Sequence, residues 1–567
     1  MNRRHFVRLL GSAVIISRMR AEAVASAPAS PEPLPIPDVW GPGQLLAFSG
    51  LDGPTDYAQG IVGRTLGEPA MSIMLPTVMT IHLGGGRVLR TQLTCDSFDI
   101  VTDAGRTRGA FPDAHHLLVE GVHRVESMPQ EFQALRAGAR LLLGVRPHFD
   151  PSHLQAELSG LIDSRQRWIR RQPAPDSLES GRRRTLAKAI AVMKGQVCSP
   201  EGMIRHRWTT PDRWPHRDLW LWDSVFHGIG WRHLDAALAR EMIEAVLDGQ
   251  QPDGRIPDEL SPIEATPSTQ PPLLAFGIQQ VAGPRPDPAW LGGLYPRLAR
   301  YLDWDFAHRG VDAGGLAEWA IDEGDPNCLC GESGMDNSPR FDAAAGLDAV
   351  DFSAYLSLEC SVMADFARQL GRAGEAEAWA ERHRRLNRLI NERLWNEEAG
   401  FYFDCNPATK RQTGIFAVSG FLPLICGAAA GSKIDRLAAQ FGNPATFSTA
   451  VPLPSAVPAA GMPAEKDMWR GPMWVNMNWL VAFGFEKCGR KDLASRLRES
   501  TMREVERRYL QRGSLFEFFD QEGSLPPDRL PRKGPVDPTR PGHQAIHDYG
   551  WTATLYADLA FNAVNPR

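Results

Sequence analysis

From about residue 184 onward, the 567-residue sequence is a succession of helix-length segments joined alternately by short turns and by longer loops rich in Gly, Pro and Trp. The segments fall at 184–197, 219–230, 235–249, 270–282, 288–306, 352–371, 374–395, 416–425, 431–440, 473–488, 490–510 and 548–562. The one that begins near Ala376 shows the pattern. It places Trp379, His383, Leu386, Leu389, Ile390 and Leu394 on one side and Glu377, Glu381, Arg385, Arg388 and Glu392 on the other, the period of a helix with a single apolar face. Twelve helices with this alternation of connections predict a mainly α fold: six helical hairpins closed into a double-walled (α/α)6 barrel over 184–567, with the long loops on one face.

The chain ahead of that region has a different period. Between 45 and 151, short apolar runs are broken by Gly, Asp and Pro, and several alternate, as in Thr80-Ile81-His82-Leu83 and Leu89-Arg90-Thr91-Gln92-Leu93. Period two favours strands, so a small β-sandwich is expected over 45–151. Residues 152–183 read as a helical linker whose basic run, Arg165, Arg167, Arg170, Arg171, Arg182, Arg183 and the adjoining Arg184, forms a solvated face. Residues 28–44 are a Pro-rich linker. The first 27 residues combine Arg3-Arg4, a short apolar run from Leu9 to Ile16, and Ala23, Ala25 and Ala27 before Pro28. That is the layout of an export signal, and Asn2-Arg3-Arg4-His5-Phe6-Val7-Arg8 resembles the bacterial twin-arginine type, which implies a periplasmic or secreted protein; the plainer reading is a basic tail. No other stretch reaches the ~18 uninterrupted apolar residues of a membrane span.

Composition excludes several classes of function. With 62 Lys and Arg against 67 Asp and Glu, the net charge is −5, and there is no basic field to drive nucleic-acid binding. The eight cysteines, at 95, 198, 328, 330, 360, 405, 426 and 488, have no repeated spacing and read as buried thiols. The single-residue gap in Cys328-Leu329-Cys330 is too short for a zinc turn. No Asp-rich loop has calcium-ligand spacing. Neither a metal nor a cofactor is expected.

The long loops set carboxylates beside aromatics. Trp220-Leu221-Trp222-Asp223-Ser224-Val225-Phe226-His227 opens one helix, Gln251-Pro252-Asp253-Gly254-Arg255-Ile256-Pro257 closes another, and GESGMDNSPRFD fills the long gap at 331–342. WRGPMWVN follows at 469–476 and LFEFFD at 515–520. Sugars account for this mixture. Their ring faces stack on indoles, their hydroxyls pair with carboxylates, amides and guanidinium groups, and cleaving the bond between them asks for two carboxyl groups flanking the scissile oxygen. The candidates are Asp336, beside the Asn337-Ser338-Pro339-Arg340 loop, and Glu517, among Phe516, Phe518 and Phe519, with Asp520 and Glu522 close behind it. A proton donor must be partly desolvated and its partner kept ionised by polar surroundings. Apolar neighbours would raise Glu517 too, so composition leaves open which is acid and which is base. Trp222, Trp469 and Trp474 fit either sugar platforms or wall packing; Asp253 fits a turn, and His227 and His547 fit structural roles.

The ordered set WDSVFH, QPDGRIP, STQPP, ESGMDNSPRFD, WRGPMWVN and EFFD, closed by Tyr549-Gly550-Trp551-Thr552-Ala553, resembles glycoside hydrolase family 63 over roughly 200–555. It is similar also to the related bacterial mannosylglycerate and glucosylglycerate hydrolases and, more distantly, to the trehalases. The resemblance implies an (α/α)6 barrel and an inverting glycosidase that releases a terminal α-linked glucose or mannose from a small glycoside or oligosaccharide. By motif, Asp336 would be the general acid and Glu517 the general base that activates water. Trp222 and Asp223 would hold the terminal sugar and Gln270 one of its hydroxyls, while Arg340, Trp469, Arg470, Gly471 and Trp474 would line the same subsite.

Three other functions fit such a barrel. A sugar epimerase needs paired histidines at its centre, but the 15 histidines are not concentrated in the motifs. A phosphorylase needs no general base, which Glu517 weighs against. A non-catalytic glycan-binding protein has no use for both carboxylates.

Overall fold

The computed structural model describes residues 71–563, apart from 74–78, 84–87, 94–95, 114–115, 122, 127–131, 201, 213–215, 217, 312–314, 323, 326, 343–345, 459–462 and 538–540. The expected export signal, the Pro-rich linker and the stretch 45–70 lie outside the described residues. Nine strands come first: β1 (Met71–Ile73), β2 (Met79–Leu83), β3 (Val88–Leu93), β4 (Ser97–Thr102), β5 (Gly105–Asp113), β6 (His116–Gly121), β7 (His123–Glu126), β8 (Phe132–Ala137) and β9 (Arg140–Val145). They pair as an antiparallel six-stranded sheet, β3-β4-β5-β6-β9-β8, and a three-stranded one, β1-β2-β7. The two alternating runs quoted above are β2 and β3.

Ala110, Leu118 and Leu142 on one face of the larger sheet pack against Leu154, Leu158 and Ile162, the last two on α1 (Leu158–Arg171). The helix is therefore a packed element rather than a solvated spacer. Arg167, Arg170 and Arg171 are exposed as expected, but Arg165 is buried, donating to the Phe111 carbonyl at 2.9 Å and lying 3.5 Å from Asp96. Asp96 also takes Lys194, whose ammonium sits 5.0 Å over the Trp168 ring. A buried carboxylate is tolerable only with such partners, and this cluster fastens the sheet and α1 to the first barrel helix. Arg182 is likewise engaged, with Glu499 and Glu506.

Twelve helices make the barrel, as the sequence led us to expect. The outer ones are α2 (Ser180–Gln196), α4 (Ala236–Asp248), α6 (Pro288–His308), α8 (Ala373–Leu389), α10 (Ser432–Phe441) and α12 (Lys491–Arg512); the inner ones are α3 (Leu221–Trp231), α5 (Leu274–Ala282), α7 (Val350–Gln369), α9 (Pro423–Cys426), α11 (Val475–Lys487) and α13 (Gly550–Asn562). Every residue of α3 is buried, whereas α8 buries little beyond Ala376, Trp379 and Leu386, the difference expected between a helix walled on all sides and one with a single apolar face. Each inner helix touches the next, and α13 returns to α3, which closes the ring. The segment expected at 416–425 is instead a 3-10 turn, Val418–Phe421, followed by the one-turn α9, since Gly420 and Pro423 interrupt it.

Ring closure depends on Asp558 of α13. Its buried carboxylate takes Arg232, His233 at 2.8 Å and the Trp479 indole N–H at 2.8 Å. Burial opposes its charge, yet Arg232 and His233 pull it from 3.8 down to about 2. A carboxyl depressed on folding stabilises the native state above its unfolded pKa and loses that contribution as pH falls through the folded one, here between about pH 4 and pH 2. The linkage is worth about 2 kcal/mol. Asp558→Asn, which leaves Arg232 buried without its counter-charge, should lower the unfolding free energy by roughly 3–5 kcal/mol in urea titration. A loss below about 1 kcal/mol would show that the closure contact is dispensable.

Candidate active site

Each hairpin leads through a long loop into the N-terminus of an inner helix, so the six loops and six N-termini share one face. Unpaired N–H groups and the positive end of the helix dipole make that face hospitable to carboxylates and hydroxyl oxygens.

Asp336 is carried on the turn between α6 and α7. Gly334 holds φ at 67°, and a Cβ there would come within 2.3 Å of the Trp222 ring, so only glycine lets the turn press against that indole. The next residue pins the turn from the other side. The Asn337 amide donates to Asp467 Oδ1 at 3.1 Å, and its oxygen accepts the Trp469 N–H at 3.0 Å. Asp336 is left at the barrel mouth, its Oδ2 2.6 Å from Lys533 Nζ, with the Cys328 thiol as a second donor.

Glu517 enters from the α12–α13 loop. Its backbone N–H donates to Ile546 O at 2.9 Å, and its Oε2 accepts Arg532 Nε at 2.9 Å and the Ile546 N–H at 3.3 Å. The residue is 1% exposed. Asp520 is turned away and saturated by Lys466, Ser524 and Leu525, and Glu522 lies at the surface on Lys466. Of the three acids in this stretch, Glu517 is the one in the site.

Arg532 and Lys533 are neighbours in sequence, with Cα atoms ~3.8 Å apart, and each holds a different carboxylate. Asp336 and Glu517 therefore flank one small region. Asp223, at the start of α3, faces the same place and feels the charge of both, together with that of Asp212. Burial and these like charges push its carboxyl well above the usual range, and its Oδ1 has no hydrogen-bond partner. At Glu517 burial outweighs Arg532 and leaves the carboxyl above its ordinary value. At Asp336 burial is outweighed by Lys533, Arg532 and the Cys328 thiol, and the carboxyl lies below its ordinary value. In the free protein, then, Glu517 is the easier of the two to protonate.

The other residues expected at the sugar take varied positions. Trp222 is buried, edge-on to Trp551 at 5.3 Å, and its backbone N–H donates to Gln270 Oε1 at 3.3 Å. Trp469 and Trp474 are stacked on each other at 3.7 Å and are 1% exposed, which makes them wall. Arg340 and Arg470 have their guanidinium groups engaged elsewhere. Arg340 pairs with Asp351 at 2.6 Å and Asp404 at 3.1 Å; Arg470 grips Asp342 at 2.7 and 2.9 Å and the Asn337 carbonyl at 3.2 Å. Both hold the acid loop in shape. Gly471, at φ 125°, has room for no side chain, since a Cβ would lie 2.1 Å from the Glu465 carbonyl. Burial holds the His227 imidazole near 3, a neutral structural histidine bonded to Thr209. Sequence reasoning missed Lys533, Arg532, Asp467 and the Asp212–His216 pair, which is closed at 2.7 Å.

Among the described residues, one cluster has metal-like spacing, Asp113, His116 and His153 in the β-region. His116 Nε2 accepts the Asp150 N–H at 2.8 Å, which puts the ring proton on Nδ1, facing Asp113 at 2.8 Å. Neither nitrogen has a lone pair left for an ion.

A model of one protein family, the mannosylglycerate hydrolase MGH1-like glycoside hydrolase domain, matches residues 215–552. The chain is similar to a mannosylglycerate hydrolase of Thermus thermophilus, with 26% identity over 392 residues, covering 53% of this chain and 90% of that protein. Solved structures of a GH63 mannosylglycerate hydrolase from Thermus thermophilus, one in complex with glucose and one with Tris and D-glycerate, superpose with TM-scores of 0.52 at 24% and 23% identity. Each covers 66% of this chain and 99% of that one. A bacterial glucoamylase complexed with acarbose has a TM-score of 0.56 at 10% identity and covers 95% of this chain and 96% of that one. These structures share the fold.

Proposed function

The chain belongs to the mannosylglycerate hydrolase MGH1-like glycoside hydrolases, and from that premise we propose that it hydrolyses a terminal α-linked glucose or mannose from a small glycoside with inversion. The observation that carries the proposal is the convergence of Asp336 and Glu517 on one mouth. In this scheme Asp336 donates a proton to the glycosidic oxygen as the C1–O bond breaks. Water attacks C1 from the opposite face and passes its proton to Glu517. The geometry asks for carboxyl groups ~6.5–9.5 Å apart, leaving room for that water. In this scheme the Asp223 carboxylate and the NH2 of Gln270 bind hydroxyls of the terminal sugar, with Trp222 buried behind them. The reaction calls for no cofactor.

The relatives named above, one of them solved with D-glycerate, favour a leaving group that carries a carboxylate. The twin-arginine-like N-terminus supports a periplasmic or secreted location. Assaying purified protein against glucosylglycerate, mannosylglycerate and neutral disaccharides, with and without phosphate, tests the reading. Release of free hexose from one of these, independent of phosphate, is the expected result. Turnover that requires phosphate would replace it with phosphorolysis, and no turnover on any of them would reject it. The directions in which burial and the neighbouring cations shift the two carboxyls, Glu517 up and Asp336 down, favour exchanged roles, with Glu517 as acid and Asp336 as base.

A further inference from the structure

The mouth of the barrel is crossed by the segment Leu530–Gly534, which is anchored at several points. Met468 N–H donates to the Pro531 carbonyl at 3.2 Å, and Ala545 N–H to the Leu530 carbonyl at 3.3 Å. The Lys533 and Gly534 N–H groups both donate to the Asp467 carboxylate, at 2.8 and 2.9 Å. Lys533 sits at φ 55°, a left-handed conformation that a lysine adopts only when its surroundings hold it there. Asp467 is also bonded to Asn337, the neighbour of Asp336. One carboxylate thus fixes both sides of the Asp336–Lys533 pair, and the lysine is placed by the fold rather than free to wander.

That placement conflicts with the proposed chemistry. A proton donor cannot work while an ammonium 2.6 Å away holds it ionised. Arg532 and the Cys328 thiol also favour the ionised form, and Asp223, which feels the charge of Asp336, opposes them. Lys533 is 30% exposed, so it can exchange its partner for a ligand without crossing a core.

We propose that Lys533 is a specificity-determining residue that arms the acid: a carboxylate on the leaving group takes the ammonium from Asp336, and only then does Asp336 acquire, from solvent, the proton that it gives to the glycosidic oxygen. The lysine stays protonated throughout, and the counter-charge alone changes hands. Neutral leaving groups, which cannot make the exchange, meet an acid that is mostly ionised. The inference rests on the reading of Asp336 as acid, and it explains why that acid is paired with an ammonium in the free protein.

The test compares glucosylglycerate with glucosylglycerol, which differ by a carboxylate against a hydroxymethyl group, in wild type, Lys533→Met and Lys533→Arg. Lys533→Met should lower the anionic-to-neutral ratio of kcat/KM by roughly 10- to 100-fold, the contribution of one charge-assisted contact. It should also raise kcat/KM for the neutral substrate at neutral pH, because activity requires protonated Asp336 and removing the ammonium raises that carboxyl. Lys533→Arg should retain the preference, which separates lost charge from lost folding. An unchanged ratio, or a rate on the neutral substrate that does not rise, overturns the proposal while leaving glycosidase activity standing. If wild type cleaves neither glycoside, the proposed function fails first.

Discussion

Asp336→Asn should lower kcat on an alkyl glycoside ~10²–10⁴-fold, the usual contribution of a positioned general acid, with little change in thermal stability. Stability should hold because the amide keeps the size of the side chain and because its partner, Lys533, is 30% exposed and can turn to water. The informative control is an α-glycosyl fluoride. Fluoride leaves without a proton, so a variant that lacks only its acid recovers most of its rate on that substrate. If the loss persists undiminished on the fluoride while Glu517→Gln recovers there, the two roles are exchanged. Wild-type turnover on the alkyl glycoside would remove Asp336 from the chemistry.

Glu517→Gln should show a comparable loss, ~10²–10⁴-fold, on alkyl glycoside and fluoride alike, since water must be deprotonated in both. Wild-type kcat/KM should fall towards acid pH, because the base must be ionised, and that acidic limb should disappear in the variant, which carries no base. Here a stability effect is expected as well. Arg532, 10% exposed, loses its carboxylate partner, and an unpaired buried charge costs roughly 3–5 kcal/mol. Folding and catalysis can be separated with Glu517→Ala and azide, an anionic nucleophile that needs no base. Formation of a β-glycosyl azide from the α-fluoride would show a folded site that lacks only its base; a folded variant that azide fails to rescue would argue against the assignment.

The barrel was legible because its determinant is periodic and local. An apolar stripe at helix spacing is written into each segment, and the alternation of short and long connections gives the hairpin order. Asp336 and Glu517 stood out as candidates because each lies in a compact motif. Arg340 and Arg470 illustrate where local reading stops. A guanidinium beside a catalytic loop suggests a sugar contact, but its partner is decided by Asp351, Asp404 and Asp342, which only the closed barrel brings within reach. Arg165 fails in the same way: basic neighbours suggested a wet face, and a buried Asp96 on another element claimed it. Lys533 carries no local signal at all. It lies in a Pro- and Arg-rich stretch that reads as plain loop, and its placement is set by Asp467, 66 positions earlier in the chain.

The central claim is that water attacks from the face opposite the departing group, between two carboxylates that never bond to the sugar. The most direct measurement is proton NMR of the first hexose released from an α-linked glycoside, recorded before mutarotation. The β-anomer appearing first is the expected result. The α-anomer appearing first would mean that the configuration is retained, and it would contradict the account.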